Sequence, residues 1–212
     1  MNSHHTRSRT QAGPALHLVP SGEPGHPVGA PGHRAQSLRR YGLASVLFYH
    51  CLTLAHYSLG AAVIIVAYGD GPILAWPLAL AYFSFALVQF YALMPLCVCP
   101  GCVYRSVPGS RCIAGLNVVS AKLRPPAGEV AEFEERAQGV LCHNTLYVAA
   151  LVAPLVLVVP ALVLAFSWAV VALALAIAAL IAVRVEVVFR LLGCPRCLAR
   201  RWCPNARAMH VV

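Results

Sequence analysis

Four apolar stretches alternate with polar, cysteine-bearing stretches along this chain. The first apolar stretch covers about 41–68 and the second about 72–96. Between them, Gly69-Asp70-Gly71 predicts a tight glycine-rich turn. A polar segment fills 97–144, and from Thr145 to Val183 no charged residue occurs. About 20 residues cross the roughly 30 Å hydrocarbon core of a bilayer. The second uncharged run therefore predicts two helices, about 145–165 and 168–191, hinged near Phe166-Ser167-Trp168. Pro154 and Pro160 predict kinks in the third helix, which a membrane tolerates where neighbours satisfy the freed carbonyls. The pattern predicts an all-α integral membrane protein with four transmembrane helices. Helices one and two occupy 39–96, a Cys-rich loop 97–144, helices three and four 145–192, and a Cys-rich tail 193–212.

Composition supports this reading. Of 212 residues, 59% are hydrophobic and 11% charged, with mean hydropathy +0.71. A soluble domain carries about 25% charged residues, so too little polar surface exists here to face water all round. Residues 1–38 are rich in Gly, Pro, Ser and His without an apolar period, which predicts a disordered tail. Its histidines (His4, His5, His17, His26, His33) are scattered and read as solvated.

The net charge of +9 matters through its distribution. Arg7, Arg9, Arg34, Arg39 and Arg40 precede the first span. Arg105, Arg111, Lys122, Arg124 and Arg136 lie between spans two and three. Arg190, Arg196, Arg200, Arg201 and Arg207 end or follow span four. The two opposite turns carry only Asp70. The positive-inside rule then puts both termini and the central loop in the cytoplasm, and the basic charge calls for no nucleic acid. Trp76 and Trp168 would mark the outer interface and Tyr41 the inner one. Arg39-Arg40 before an apolar stretch faintly suggests a cleaved signal, but the stretch is too long and lacks a small-x-small site.

Nine cysteines become informative on this topology. Cys51 falls in the middle of span one and reads as a packing residue. The other eight (Cys97, Cys99, Cys102, Cys112, Cys142, Cys194, Cys197 and Cys203) gather at one membrane face. Cytoplasmic thiols stay reduced, so metal binding is expected rather than disulfides. Two Cys-Pro-x-Cys knuckles anchor the set, Cys99-Pro-Gly-Cys102 and Cys194-Pro-Arg-Cys197. This spacing lets two sulfurs reach one ion, proline stiffens the turn, and the following amides point back at sulfur. Four thiolates satisfy either zinc or an iron–sulfur cluster. Two partitions follow. The knuckles pair on one ion, or each triplet (99, 102, 112 and 194, 197, 203) recruits a fourth ligand from Cys97 or Cys142. His143 is a reserve ligand.

Polar residues inside the spans are costly and mark candidate sites. At about 1.5 Å per residue, His50, Gln89, Arg184 and Glu186 share a depth of roughly 10–14 Å. They predict either a proton or quinone site beneath the metal face or plain interhelical hydrogen bonding. In the second reading Arg184 and Glu186 snorkel to the interface. His50 and His56 are six residues apart, off a common face, which argues against a haem between them. Gly128–Gln138, with Val130, Phe133 and Ala137 among four glutamates, predicts a short amphipathic helix over the inner face.

The span order resembles protein S-acyltransferases in topology alone. Their Asp-His-His-Cys signature is absent and Cys142-His143-Asn144 does not replace it, so no residue role is carried over. No catalytic triad, phosphate loop or nucleotide site is evident, and no enzyme class is assigned. The expected function is an iron–sulfur electron-transfer or membrane-anchor subunit, working with a redox partner protein or membrane quinone in the lipid bilayer. The alternative is a non-enzymatic scaffold, assembly or metal-handling protein with a structural zinc held by four cysteines.

Overall fold

The computed structural model describes residues 39–69, 71–123, 125, 143–201, 203, 206–207 and 209–211, without the side chains of Pro72, His143 and Asn144. The expected tail at 1–38, the expected amphipathic helix at 128–138 and the candidate ligand Cys142 lie outside the described residues. So does Asp70.

Helix α1 spans Leu43–Ala67, and α2 spans Pro72–Leu87 and continues as a wide, π-helical run, Val88–Val98. The connecting turn closes where the Gly71 amide donates to Tyr68 O at 2.9 Å. Two short helices follow, α3 (Val103–Ser106) and α4 (Leu116–Leu123). Helix α5 spans His143–Leu164, and α6 spans Trp168–Ala182 and again continues as a π-helical run, Val183–Gly193. Four helices are long and apolar enough to cross a membrane: Leu43–Ala67, Ile73–Gly101, Thr145–Leu164 and Trp168–Arg196. That length and composition suit a multi-pass membrane protein. Among the described residues there is no strand, only a single bridge between Arg40 and Arg111.

The helices are helical because apolar solvent offers the backbone no other partner. Their packing is inverted relative to a soluble bundle. On α1, Leu47 and Phe48 are more than half exposed, while Thr53 and His56 are fully buried. Helix α1 packs against α2, α5 and α6, and α5 also meets the wide run after α2. Gly60 sits at the crossing of α1, α2 and α5. A Cβ there would stand 2.6 Å from the Tyr82 hydroxyl oxygen and 2.7 Å from Pro154 Cγ.

Two boundaries differ from the sequence reading. Spans two and four continue past residues 96 and 191 to Gly101 and Arg196. Cys97, Cys99 and Cys194 thus lie within the long helices rather than in loop and tail. The cause is the wide run of eleven residues in each, which carries the helix on to its Cys-Pro turn. Helix α5 passes through both Pro154 and Pro160 without ending.

The two halves also share one order of elements: helix, turn, helix, wide eleven-residue run, then a 3₁₀ turn over Cys-Pro-x. Residues 95 apart correspond from the second helix of each pair onward. Ala75 and Val170, Tyr82 and Ile177, and Gln89 and Arg184 match in this register, and every member of these pairs is buried. The knuckle cysteines match in the same register, Cys99 with Cys194 and Cys102 with Cys197.

Candidate metal centre

Proline at the second position starts each Cys-Pro turn as a 3₁₀ helix, Cys99–Gly101 and Cys194–Arg196. The Cys102 amide donates to Cys99 O at 3.1 Å and the Cys197 amide to Cys194 O at 3.2 Å. The chain then turns extended at Cys102 (φ −81, ψ 142) and at Cys197 (φ −74, ψ 134). In both turns the amide two residues on, that of Tyr104 or Ala199, donates to the second cysteine's sulfur. Two segments far apart in sequence therefore adopt one knuckle geometry. Backbone amides aimed at sulfur are what a thiolate requires.

The knuckles also meet. The Leu198 amide donates to the Tyr104 hydroxyl at 3.2 Å, and Tyr104 is hydrogen-bonded to Cys197 as well. Burial pushes the Cys102 thiol up to about 12, the Tyr104 amide opposes this, and the nearby sulfurs of Cys112, Cys197 and Cys203 push the same way as burial. Burial likewise raises Cys197, with Cys203 and Cys112 adding. The sulfurs of Cys112 and Cys203 thus lie near those of Cys102 and Cys197, across loop and tail. A cation among them would reverse the balance and favour the thiolates.

Cys112 is held from the loop side by Asn117. Its amide donates to Asn117 Oδ1 at 3.0 Å, while Asn117 Nδ2 donates to Ser110 O at 3.0 Å. The Ser110 hydroxyl donates to Tyr104 O, which closes the loop on the first knuckle. From the helix side, the Tyr41 hydroxyl donates to Gly193 O at 2.8 Å and ties the start of α1 to the residue before Cys194. Burial raises the Tyr41 phenol, and the nearby Cys197 sulfur adds to this.

The eight predicted ligands do not share one fate. Cys99 is buried, and Cys102, Cys112, Cys194, Cys197 and Cys203 are half-buried, whereas Cys97 is exposed on the wide run. Cys51, expected as a packing residue, is instead exposed on α1. Among the described residues no three His, Cys, Asp or Glu side chains converge tightly enough to hold an ion in this conformation.

The polar residues beneath include two hydrogen-bonded groups, one around His50 and one around Arg184. His50 hydrogen-bonds to the Tyr91 hydroxyl at 3.0 Å and to Ala114 O at 2.9 Å, so it links α1, the wide run and the loop. Arg184 is fully buried. Its Nη1 donates to the Tyr147 hydroxyl at 2.6 Å and its Nη2 to Thr53 Oγ1 at 3.1 Å. The guanidinium lies 5.2 Å from the Tyr49 ring centroid, and Tyr49 and Tyr147 share a hydroxyl–hydroxyl bond of 2.9 Å. Gln89 is fully buried as well.

Glu186 departs from the expected network. It is exposed and pairs with Arg190 one turn on, at 3.0 Å. The reason is helical position, since residues two apart face different sides. Arg184 turns inward and Glu186 outward. His56 bonds instead to Leu151 O at 3.0 Å. Tyr147, Thr53, Tyr104 and Asn117 were not anticipated from sequence. Tyr147 lies at the start of its span and Thr53 near the middle of α1, the only hints of their role. Comparison with protein-family models, curated proteins and solved structures gave no match to this chain.

Proposed function

We propose that this is a multi-pass membrane protein whose basic, cytoplasmic-side face carries a thiolate metal centre built jointly by loop and tail. The observation that carries the reading is the pairing of two knuckles with the same dihedrals and the same amide-to-sulfur bond, joined through Tyr104. Cys102, Cys112, Cys197 and Cys203 supply the inner donors, with Cys99 and Cys194 beside them. An ion would have to draw the thiols in by side-chain rotation, since among the described residues no three of them converge in this conformation. Zinc suits this donor set, needs no redox partner, and prefers four sulfurs in a tetrahedron. Its work is to clasp the ends of spans two and four, and so to hold a scaffold or assembly surface at the membrane.

A second reading rests on the buried polar groups below the thiols. An iron–sulfur cluster at the same ligands accepts single electrons from a reduced soluble protein. Passing two electrons and two protons to a membrane quinone would give the quinol, with His50 and Tyr91 along the route between loop and span. One purification separates the two readings. A colourless protein with stoichiometric zinc supports the clasp. A brown protein absorbing broadly in the visible and bleached by dithionite supports the redox subunit. Protein purified without oxygen, with neither metal and with wild-type stability in chelator, would overturn both. Orientation is tested separately: an impermeant thiol reagent on intact cells should leave Cys97 unlabelled until the membrane is opened.

A further inference from the structure

A groove of about 320 Å³ opens between the start of α1 and the end of the wide run after α6. Phe48, Val188 and Leu192 line its apolar part, Ser45 lies along its wall, and Tyr41 and Arg196 stand at the end nearest the knuckles. The Tyr41–Gly193 hydrogen bond fixes the two walls together there, so the groove is a built feature of the helix pair. Arg39 and Arg40 come immediately before Tyr41 and are exposed. Their backbone is pinned to the loop: the Arg111 amide donates to Arg39 O at 3.0 Å and the Tyr41 amide to Arg111 O at 2.9 Å. Among the described residues Glu186 is the one acidic side chain, and it is engaged by Arg190.

We propose that this groove holds one acyl chain of an anionic phospholipid, with the phosphate held by Arg196 and the Arg39–Arg40 pair. The groove suits a single chain lying along the exposed Phe48 and Leu192, over buried Val188, and ending at a polar rim. The charge suits an anionic headgroup, because Arg196 lines the groove, the exposed Arg39 and Arg40 directly precede its lining residue Tyr41, and the one described carboxylate, Glu186, is taken by Arg190. Arginine favours phosphate through its planar fork of donors. Basic residues at a membrane surface bias binding toward anionic lipid. Arg196 belongs to the second Cys-Pro-x-Cys turn, so the two sites adjoin, but the inference asks nothing of the metal.

The test uses the full chain in a mild detergent, with native mass spectrometry and thermal melting as readouts. Phosphatidylglycerol and phosphatidylcholine of the same chain length are the probes. The expected result is one phosphatidylglycerol retained per chain, a larger rise in melting temperature with it than with phosphatidylcholine, and loss of this preference in Arg196→Gln by about fivefold. Ser45→Trp, which fills the groove without changing charge, should abolish retention of either lipid. Lys122→Gln removes an equal charge from the exposed end of α4 and should leave retention unchanged. Equal retention of both lipids would overturn the proposal, as would equal losses in Arg196→Gln and Lys122→Gln, which mark general charge attraction. A dimer whose subunits crosslink through position 45 would also overturn it in favour of a protein partner.

Discussion

Gln89 and Arg184 hold the same place in the two halves of the chain. Each is the second residue of an eleven-residue wide run, ten residues before the first cysteine of a Cys-Pro-x-Cys turn, and each is fully buried. The shared register carries a polar residue to one level of each half. Only one of the two is charged, and that guanidinium donates to the Tyr147 phenol and the Thr53 hydroxyl and lies over the Tyr49 ring, with no carboxylate among these partners and its buried Nε left without a hydrogen bond.

Arg184 is therefore a costly group held by neutral partners, and its variants should separate cost from support. Replacing a whole buried ion pair by apolar side chains of similar volume is often neutral or stabilising, and here the partners left behind are neutral and keep other hydrogen bonds, Tyr147 with the Tyr49 hydroxyl and Thr53 with Tyr49 O. Arg184→Met should leave thermal or denaturant stability within about 1 kcal/mol of wild type. Tyr147→Phe keeps the charge and removes its closest acceptor, and should cost about 1–3 kcal/mol. Unfolding in mixed micelles measures both. The reverse order, with the methionine variant the worse folded, would mean that the charge itself is needed for the packing.

Gly60 gives a packing prediction of a different kind. Helices α1, α2 and α5 approach so closely that any Cβ there meets the Tyr82 hydroxyl and the Pro154 ring. A larger side chain must push helices apart or displace the hydrogen bond from the Tyr82 hydroxyl to Ala150 O, now 3.1 Å. Gly60→Leu should destabilise by about 1–3 kcal/mol or more. Gly42, where a Cβ meets nothing within 4 Å, should accept alanine with no comparable loss.

Tyr41 provides the pH dependence. Burial, with the Cys197 sulfur adding, raises its phenol above the ordinary 10.0, so the folded state favours the neutral form. Its contribution is fully present below pH 10, where both states are protonated. Above pH 10 the unfolded phenol ionises while the folded one does not, and stability falls by up to about 1.4 kcal/mol per pH unit. Tyr41→Phe should lose about 0.5–1.5 kcal/mol at pH 8 with the hydrogen bond to Gly193. The gap between wild type and variant should then close as pH rises past 10. A gap constant from pH 8 to 11 would show that Tyr41 ionises equally in both states.

The spans were legible because a bilayer imposes length and apolarity on every crossing helix, and those two quantities are written in the chain. Gly69–Gly71 and Phe166–Trp168 fall at the turns for the same reason. The knuckles were legible as motifs, since Cys-Pro-x-Cys constrains its own backbone. Their extension into spans two and four was not, because π-helical hydrogen bonding leaves no mark in composition. Nor did sequence separate Arg184 from Glu186. Depth places both together, and only the helical phase sends one inward and the other to Arg190. Asn117 was invisible for another reason. Its role depends on the loop bringing Ser110 and Cys112 around it, a tertiary fact.

Alkylation should read the thiolate centre directly. In chelator, mass tagging with a maleimide under denaturing quench should modify all nine cysteines. With metal bound, Cys99, Cys102, Cys112, Cys194, Cys197 and Cys203 should be protected together, and exposed Cys97 should remain reactive. Protection confined to one knuckle would refute a centre shared by loop and tail. So would labelling of Cys97 and Cys102 at equal rates.

Asn117 should matter to metal retention although it offers no thiolate. It holds the Cys112 amide and the Ser110 carbonyl, and Ser110 in turn is bonded to the first knuckle through Tyr104 O. Residues that orient metal ligands commonly change affinity by about 10–100-fold when removed. Asn117→Ala should therefore lower zinc affinity by about that factor in competition with a chromogenic chelator, while stoichiometry stays at the wild-type value. Cys112→Ser should lower it further and in the same direction. A full-affinity Asn117→Ala protein beside a weakened Cys112→Ser protein would show that the loop holds Cys112 without the amide. Weakening in neither would remove Cys112 from the centre and leave the two knuckles and Cys203 as its ligands.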